Sequence, residues 1–141
     1  MMRTPKQRSL QVVMAVHTLI YRLSQGQWLN VDGHIILLST LGRRSGQLRT
    51  APLFCIRDGE AYVVIGSYGG NTHHPAWYLN LQARPRALVV DRGQTWLASA
   101  EDVTGNDYER LWNLLVLANP TYQQYRARTT RQLPIIRLHP Q

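Results

Sequence analysis

Two short turns constrain this chain more than any other feature of it. Asp58-Gly59 separates the apolar runs at 53–56 and 61–65, and Arg92-Gly93 separates those at 87–91 and 95–103. Runs of this length, rich in β-branched residues and bounded by glycine, read as strands. Links this short join antiparallel neighbours, because a parallel crossover takes a dozen or more residues. The sheet is expected to be mainly antiparallel.

Periodicity and breakers place the other elements. Val12, Val13, Val16, Leu19, Ile20 and Leu23 recur at helical spacing, predicting an amphipathic helix over 9–24 with Ser9 as its cap and Gly26 as its stop. Residues 34–40 have the length of a strand, Gly42 and Gly46 punctuate the turn at 41–46, and a second strand begins near Thr50. Pro75 suits the first position of a helix that runs to about Ala83, where Arg84-Pro85 ends it. Thr104, with Asp107 three residues on, opens a helix whose inner face carries Leu111, Leu114, Leu115 and Ala118, and Asn119-Pro120 breaks it. A short helix carries Tyr122 and Tyr125, and a last strand spans 133–138. Helix, three strands, helix, two strands, two helices and strand make an α+β fold. With no repeat and no linker composition in 141 residues, one domain over 1–141 is expected.

Composition narrows the function. Hydrophobic residues at 44% against 17% charged describe a globular chain, not a disordered one. Sixteen Lys and Arg against eight Asp and Glu leave a net charge of +8, a field that attracts nucleic acid, anionic lipid or a phosphorylated cofactor. A basic helix or an aromatic sheet face of RNA-binding type is missing, which argues against nucleic acid. Cys55 is the single cysteine and is expected to be a small buried strand residue; with no zinc-like Cys/His spacing, a reducing compartment follows. No apolar run reaches about 18 residues, and the basic N-terminus lacks the apolar block of a secretory signal. The reading is cytoplasmic, with peripheral membrane contact through the N-terminal helix as the alternative.

Three places could carry chemistry. Arg43, Arg44 and Ser45, between Gly42 and Gly46 and with Arg49 just beyond, gather three guanidinium groups and a hydroxyl in one turn, which suits phosphate or carboxylate. An exposed basic turn that binds nothing would look the same. Gly69, Gly70, Asn71 and Thr72 lead into Pro75, Ala76 and Trp77, where free N–H groups of a helix start could meet an anion and an indole could cover an aromatic ring. Tyr122 and Tyr125, three apart, share a helix face and suit a pocket wall or a core equally. His73 and His74 are adjacent, point apart and lack a carboxylate partner, so no metal site is expected. Neither a Ser/His/Asp set nor paired carboxylates occur; an enzyme of this kind would leave the chemistry to a cofactor.

Taken in order, LLSTLGRRSGQLRTAPL (37–53), VVIGSYGGNTHHPAWYLNLQARP (63–85) and NPTYQQYRARTTRQLPIIRL (119–138) resemble the deazaflavin-dependent nitroreductase family, which includes F420H2-dependent quinone reductase-like members of the FMN-binding split-barrel superfamily. The resemblance implies a split β-barrel over 34–138, about six strands flanked by helices, and hydride transfer from reduced coenzyme F420 to a quinone, nitro compound or activated alkene. It implies that Arg43, Arg44, Ser45 and Arg49 grip the phosphate and acidic tail of the cofactor, that Pro52, Ala76 and Trp77 lie along its ring, and that Gly69 and Gly70 also belong to the cofactor-binding set. It also implies that Ser67, Tyr122 and Tyr125 serve the acceptor, orienting it or helping to protonate it.

The chain departs from the family pattern at three positions: Tyr68 replaces a lysine, and Phe54 and Asn119 replace tyrosines. The first removes a phosphate contact; the others remove hydroxyls from the acceptor pocket, so quinone reduction is expected ahead of nitro reduction. An FMN-binding split-barrel reductase and a non-catalytic F420 carrier are the alternatives. Monomer and homodimer both remain open at this level.

Overall fold

The computed structural model describes residues 33–141, and the helix expected over 9–24 lies outside the described residues. The strands are β1 (His34–Leu41), β2 (Leu48–Asp58), β3 (Ala61–Ile65), β4 (Arg86–Asp91), β5 (Gln94–Asp102) and β6 (Ile135–Pro140); the helices are α1 (Ala76–Ala83), α2 (Gly105–Ala118) and α3 (Thr121–Ala127). Both short turns form hairpins. Asp58 pairs with Ala61 across one, and Asp91 with Gln94 across the other. In the second, Arg92 and Gly93 have φ of 50° and 81°, the two positive values that match the twist of the flanking strands.

The strands close into a barrel in the order β1-β2-β3-β6-β5-β4, every pair antiparallel. Closure rests on β4 pairing with β1 through Leu37↔Val90, Leu38↔Val89 and Ser39↔Leu88. Alternation then sorts side chains to two cores. Ile36, Leu38, Cys55, Tyr62, Val64, Val89, Ala98, Ile136 and Leu138 fill the interior together with Trp77 and Leu81 of α1, which stops one end of the barrel. Phe54, Ile56, Val63, Ile65 and Ile135 face outward and are covered by Leu111, Trp112 and Leu115 of α2 and Tyr122 of α3. This double coverage explains why β3 reads Ala-Tyr-Val-Val-Ile with no polar position: all five residues are buried.

The other barrel end is polar. The Tyr62 hydroxyl donates to Asp91 Oδ2 at 2.9 Å, His34 Nε2 lies 3.0 Å from Asp91 Oδ1, and the Arg57 guanidinium sits 3.9 Å above the Tyr62 ring. Cys55 lies inside this wall, fully buried, as expected of it from the sequence. Three sequence expectations shift slightly. The second strand starts at Leu48, Pro75 caps α1 from outside its first turn, and β6 runs on to Pro140. The fourth differs in kind: Thr104 makes no side-chain capping bond. Asp107 instead joins a network in which Arg137 contacts Glu101 at 2.8 Å, Asp107 at 3.1 Å and Asp58 at 3.2 Å, while Arg110 also reaches Asp58 at 3.1 Å. A network that ties α2 to β2, β5 and β6 outweighs a local cap.

Two outcomes follow. Burial, aided by the Asp91 charge, pushes the Cys55 thiol up to about 12, so it should not react with a disulfide reagent at about pH 8 until denaturant opens the barrel; fast labelling of the native protein would contradict this packing. Hydrogen bonds from Arg110, ahead of those from Arg137, hold the Asp58 carboxyl below its usual range. Its contribution to stability is therefore complete above the ordinary carboxylate pKa and lost as pH falls through the lowered one. Urea midpoints should drop on acidification below about pH 4, and less so in Asp58→Asn.

Candidate active site

The antiparallel pairing of β3 with β6 sets two loops side by side. Ile65 ends β3 opposite Ile135, which begins β6, so the segment leaving β3 and the segment entering β6 emerge together. Gly66 N–H donates to Pro134 O at 2.8 Å and anchors the first to the second. Beyond it, Tyr68, Gly69 and Gly70 are consecutive left-handed residues, with φ of 46°, 62° and 77°. The turn is closed by Gly70 N–H to Ser67 O at 2.9 Å and Asn71 N–H to Tyr68 O at 3.0 Å. Glycine takes this conformation freely; Tyr68 holds it at a cost of about 1–2 kcal/mol. Gly70 is required on a second count, since a Cβ there would lie 2.5 Å from Tyr125 O.

A cavity of about 580 Å³ opens between this turn, β2, the start of α1 and the α2–α3 junction, within the range of small-molecule sites. Ala51, Pro52 and Leu53 of β2 line it together with Pro75, Ala76 and Trp77, giving an apolar slot. Arg49 and Phe54 both line it and are five residues apart on one strand, so it extends for roughly 16 Å along β2. Near Phe54 the ring centroid of Tyr122 lies 6.3 Å away, and that of Tyr125 lies 6.2 Å from Tyr122. Ser67 and Asn119 also face the cavity. Burial raises the Tyr122 phenol well above its ordinary pKa, with the hydrogen bond to the Asn119 side chain pulling the other way. Tyr122 is therefore a neutral hydrogen-bond donor at physiological pH.

Of the twelve residues singled out from the sequence, the fold brings Arg49, Pro52, Ser67, Gly69, Ala76, Trp77, Tyr122 and Tyr125 to this cavity. Arg43, Arg44 and Ser45 are exposed on the β1–β2 turn and form no part of its wall. Gly70 is buried behind the wall against α3. The structure connects the basic turn to the cavity through a residue that the sequence reading missed. Asn80, 3% exposed, accepts from the Arg43 backbone N–H at 3.0 Å and donates to Thr40 Oγ1 at 3.0 Å, while lining the cavity itself. A polar position between Leu79 and Leu81 was its only sequence signal. Arg131 was missed too; it grips the turn after β3 from the β6 side. Among the described residues no group of three His, Cys, Asp or Glu could hold a metal, and His74 instead contacts Arg131 and the Tyr78 ring.

A cationic end, an apolar slot and a hydroxyl-bearing end suit a planar anionic cofactor with a small acceptor laid beside it. Residues 13–140 match the family model for F420H(2)-dependent quinone reductase. An F420H(2)-dependent quinone reductase of Mycobacterium tuberculosis is 34% identical over 134 residues, covering 88% of this chain and 87% of that protein. A solved F420-H2 dependent reductase is 33% identical with a TM-score of 0.68, covering 74% of this chain and 93% of that one. A further structure, described as a domain-swapped dimer, is 28% identical with a TM-score of 0.70, covering 96% of this chain and 100% of that one. The family match, the relative and the shared fold show that this chain belongs to the F420H(2)-dependent quinone reductase family.

Proposed function

We propose that the cavity takes coenzyme F420 with its ring in the slot of Pro52, Ala76 and Trp77 and its acidic tail toward Arg49 and the turn of Arg43, Arg44 and Ser45, leaving the end by Ser67, Tyr122 and Tyr125 for a quinone. The observation that carries this is the ordering of chemistry along β2, from Arg49 through an apolar slot to the buried Tyr122 phenol with the half-buried Tyr125 beside it. Arg43, Arg44 and Arg49 have no carboxylate in ion-pair contact among the described residues, whereas Arg57, Arg110 and Arg137 do. The unpaired cations are thus free to meet phosphate and carboxylate groups. The donor set fits the cofactor.

The reduced cofactor, when bound, supplies a hydride. What the protein adds is orientation and a place for charge. Trp77 and Pro75 are buried, so one wall of the slot is rigid and dry, and orientation of this sort is worth at most about 7–11 kcal/mol of barrier. Negative charge develops on a quinone oxygen as hydride arrives at the ring; the Tyr122 hydroxyl is placed to donate to it, with Ser67 as the second donor. Because its proton is held tightly, Tyr122 stabilises the oxyanion by hydrogen bonding, and the proton that completes the hydroquinone comes from water. Phe54 makes the wall beside Tyr122 apolar, which favours a quinone ring over a nitro group.

Binding is the direct test. Tryptophan fluorescence or calorimetry should give micromolar or tighter affinity for F420 and none for FMN; tight FMN binding or no binding would sink the assignment. Arg49→Ala and Arg43→Ala should each weaken F420 by about 1–3 kcal/mol, and Asn80→Ala should weaken it as well by releasing Arg43. With a naphthoquinone as acceptor, Tyr122→Phe should lower kcat by roughly 10- to 100-fold with F420 affinity unchanged; binding without turnover on any quinone would mark a carrier.

A further inference from the structure

The turn that presents Ser67, Tyr68 and Gly69 to the cavity does not hold itself. It carries three left-handed residues and only two closing hydrogen bonds of its own. Arg131, in the segment entering β6, supplies the rest. Its Nε donates to Asn71 O at 2.8 Å, Nη2 to Ser67 O at 2.8 Å and Nη1 to Gly66 O at 3.1 Å. Arg128 adds a bond from Nη1 to Gly69 O at 3.4 Å and lies 5.6 Å over the Tyr125 ring. Arg131 has no carboxylate partner among the described residues; its planar fork is spent on carbonyl groups, a use no ammonium could copy.

The remaining contact of that fork is to a titratable group. Nη1 lies 3.2 Å from His74 Nδ1, and Arg131 can only donate, so Nδ1 must carry a lone pair and His74 must be neutral. Two other groups face the imidazole or adjoin it: Tyr78 of α1, with ring centroids 4.7 Å apart, whose phenol burial keeps protonated, and His73 on the same segment. Neither offers a negative charge to an imidazolium. Burial first, and the Arg131 charge second, lower the His74 pKa below its ordinary value. A proton on Nδ1 would set N–H against N–H and two positive charges side by side.

We propose that Arg131 is a positioning residue for hydride transfer, bracing the turn at 67–71 against the cavity, and that His74 makes this brace acid-sensitive through its Nδ1 contact. The kinetic part rests on the reading of the cavity given above; the brace itself does not. The brace is complete above the ordinary histidine pKa and is lost as pH falls through the lowered one.

Hydrogen exchange on the ligand-free full chain reads the brace without cofactor. Corrected for intrinsic rates, the Gly70 and Asn71 amides should exchange about tenfold faster in Arg131→Lys, with β4 and β5 unchanged. In the wild type they should lose protection only as the pH falls below about 6.5, but not in His74→Gln, whose carbonyl can accept the same bond and does not titrate. Kinetics with F420H2 and a naphthoquinone should show kcat down about tenfold in Arg131→Lys, F420 affinity within about threefold, and an acid limb in the wild type that His74→Gln removes. Unchanged exchange in Arg131→Lys, an acid response that survives in His74→Gln, or wild-type kcat in Arg131→Lys would each overturn the proposal. If the wild type neither binds nor oxidises F420H2, the cofactor assignment fails, and the exchange result alone decides the brace.

Discussion

Everything at the site depends on the closure of the sheet, and above all on β6 lying between β3 and β5. An open sheet would leave two edges of unpaired N–H and C=O groups and would expose one face of every strand. Closed, it has an interior sealed at one end by Trp77 and Leu81 and at the other by Tyr62 with Asp91. The same pairing runs β6 antiparallel to β3, so two segments separated by some sixty-five residues of chain, around Gly66 and Arg131, emerge on the same side. Without that register the turn after β3 would have nothing behind it.

The cavity is the product of two packings that meet. The interior core fixes α1, and with it Pro75, Ala76 and Trp77. The outer core fixes α2 and α3, and with them Asn119, Tyr122 and Tyr125. β2 belongs to both, since Cys55 points inward while Phe54 and Ile56 point outward, and it forms the wall common to the slot and the phenol end. A rigid wall shared between two cores is a suitable base for a reaction that needs two flat molecules held in contact.

Charge is divided along the same lines. Arg137 and Arg110 are absorbed by Asp58, Glu101 and Asp107 on the face where α2 joins the barrel, and Arg57 lies over Tyr62 near Asp91. The net charge of +8 is therefore not spread evenly in effect: among the described residues Arg43 and Arg44 on the β1–β2 turn and Arg49 at the start of β2 stay without anionic partners, whereas Arg57 farther along β2 has Asp91. An anion arriving there meets guanidinium groups that pair with no carboxylate of the described residues, Arg43 being held only by the Asn80 amide.

By itself the sequence determined the two hairpins, the order of elements from His34 onward and most of the cavity wall, because these depend on turn chemistry, on side-chain alternation and on three motifs recognisable in order. Glycine and short links act within a few residues, and their meaning survives in any surroundings. Left to the tertiary structure were the partners of isolated polar side chains. Asp107 reads as half of a cap at Thr104 but answers to Arg137, which reaches it only once β6 is in place. Asn80 reads as one polar residue in a helix, and its partners Thr40 and Arg43 lie some forty positions away. Arg131 reads as one of several arginines in a basic stretch, yet it holds carbonyl groups from the far side of the chain. A guanidinium or an amide carries no address in its own neighbourhood; barrel closure supplies one by bringing distant backbone groups within hydrogen-bond reach.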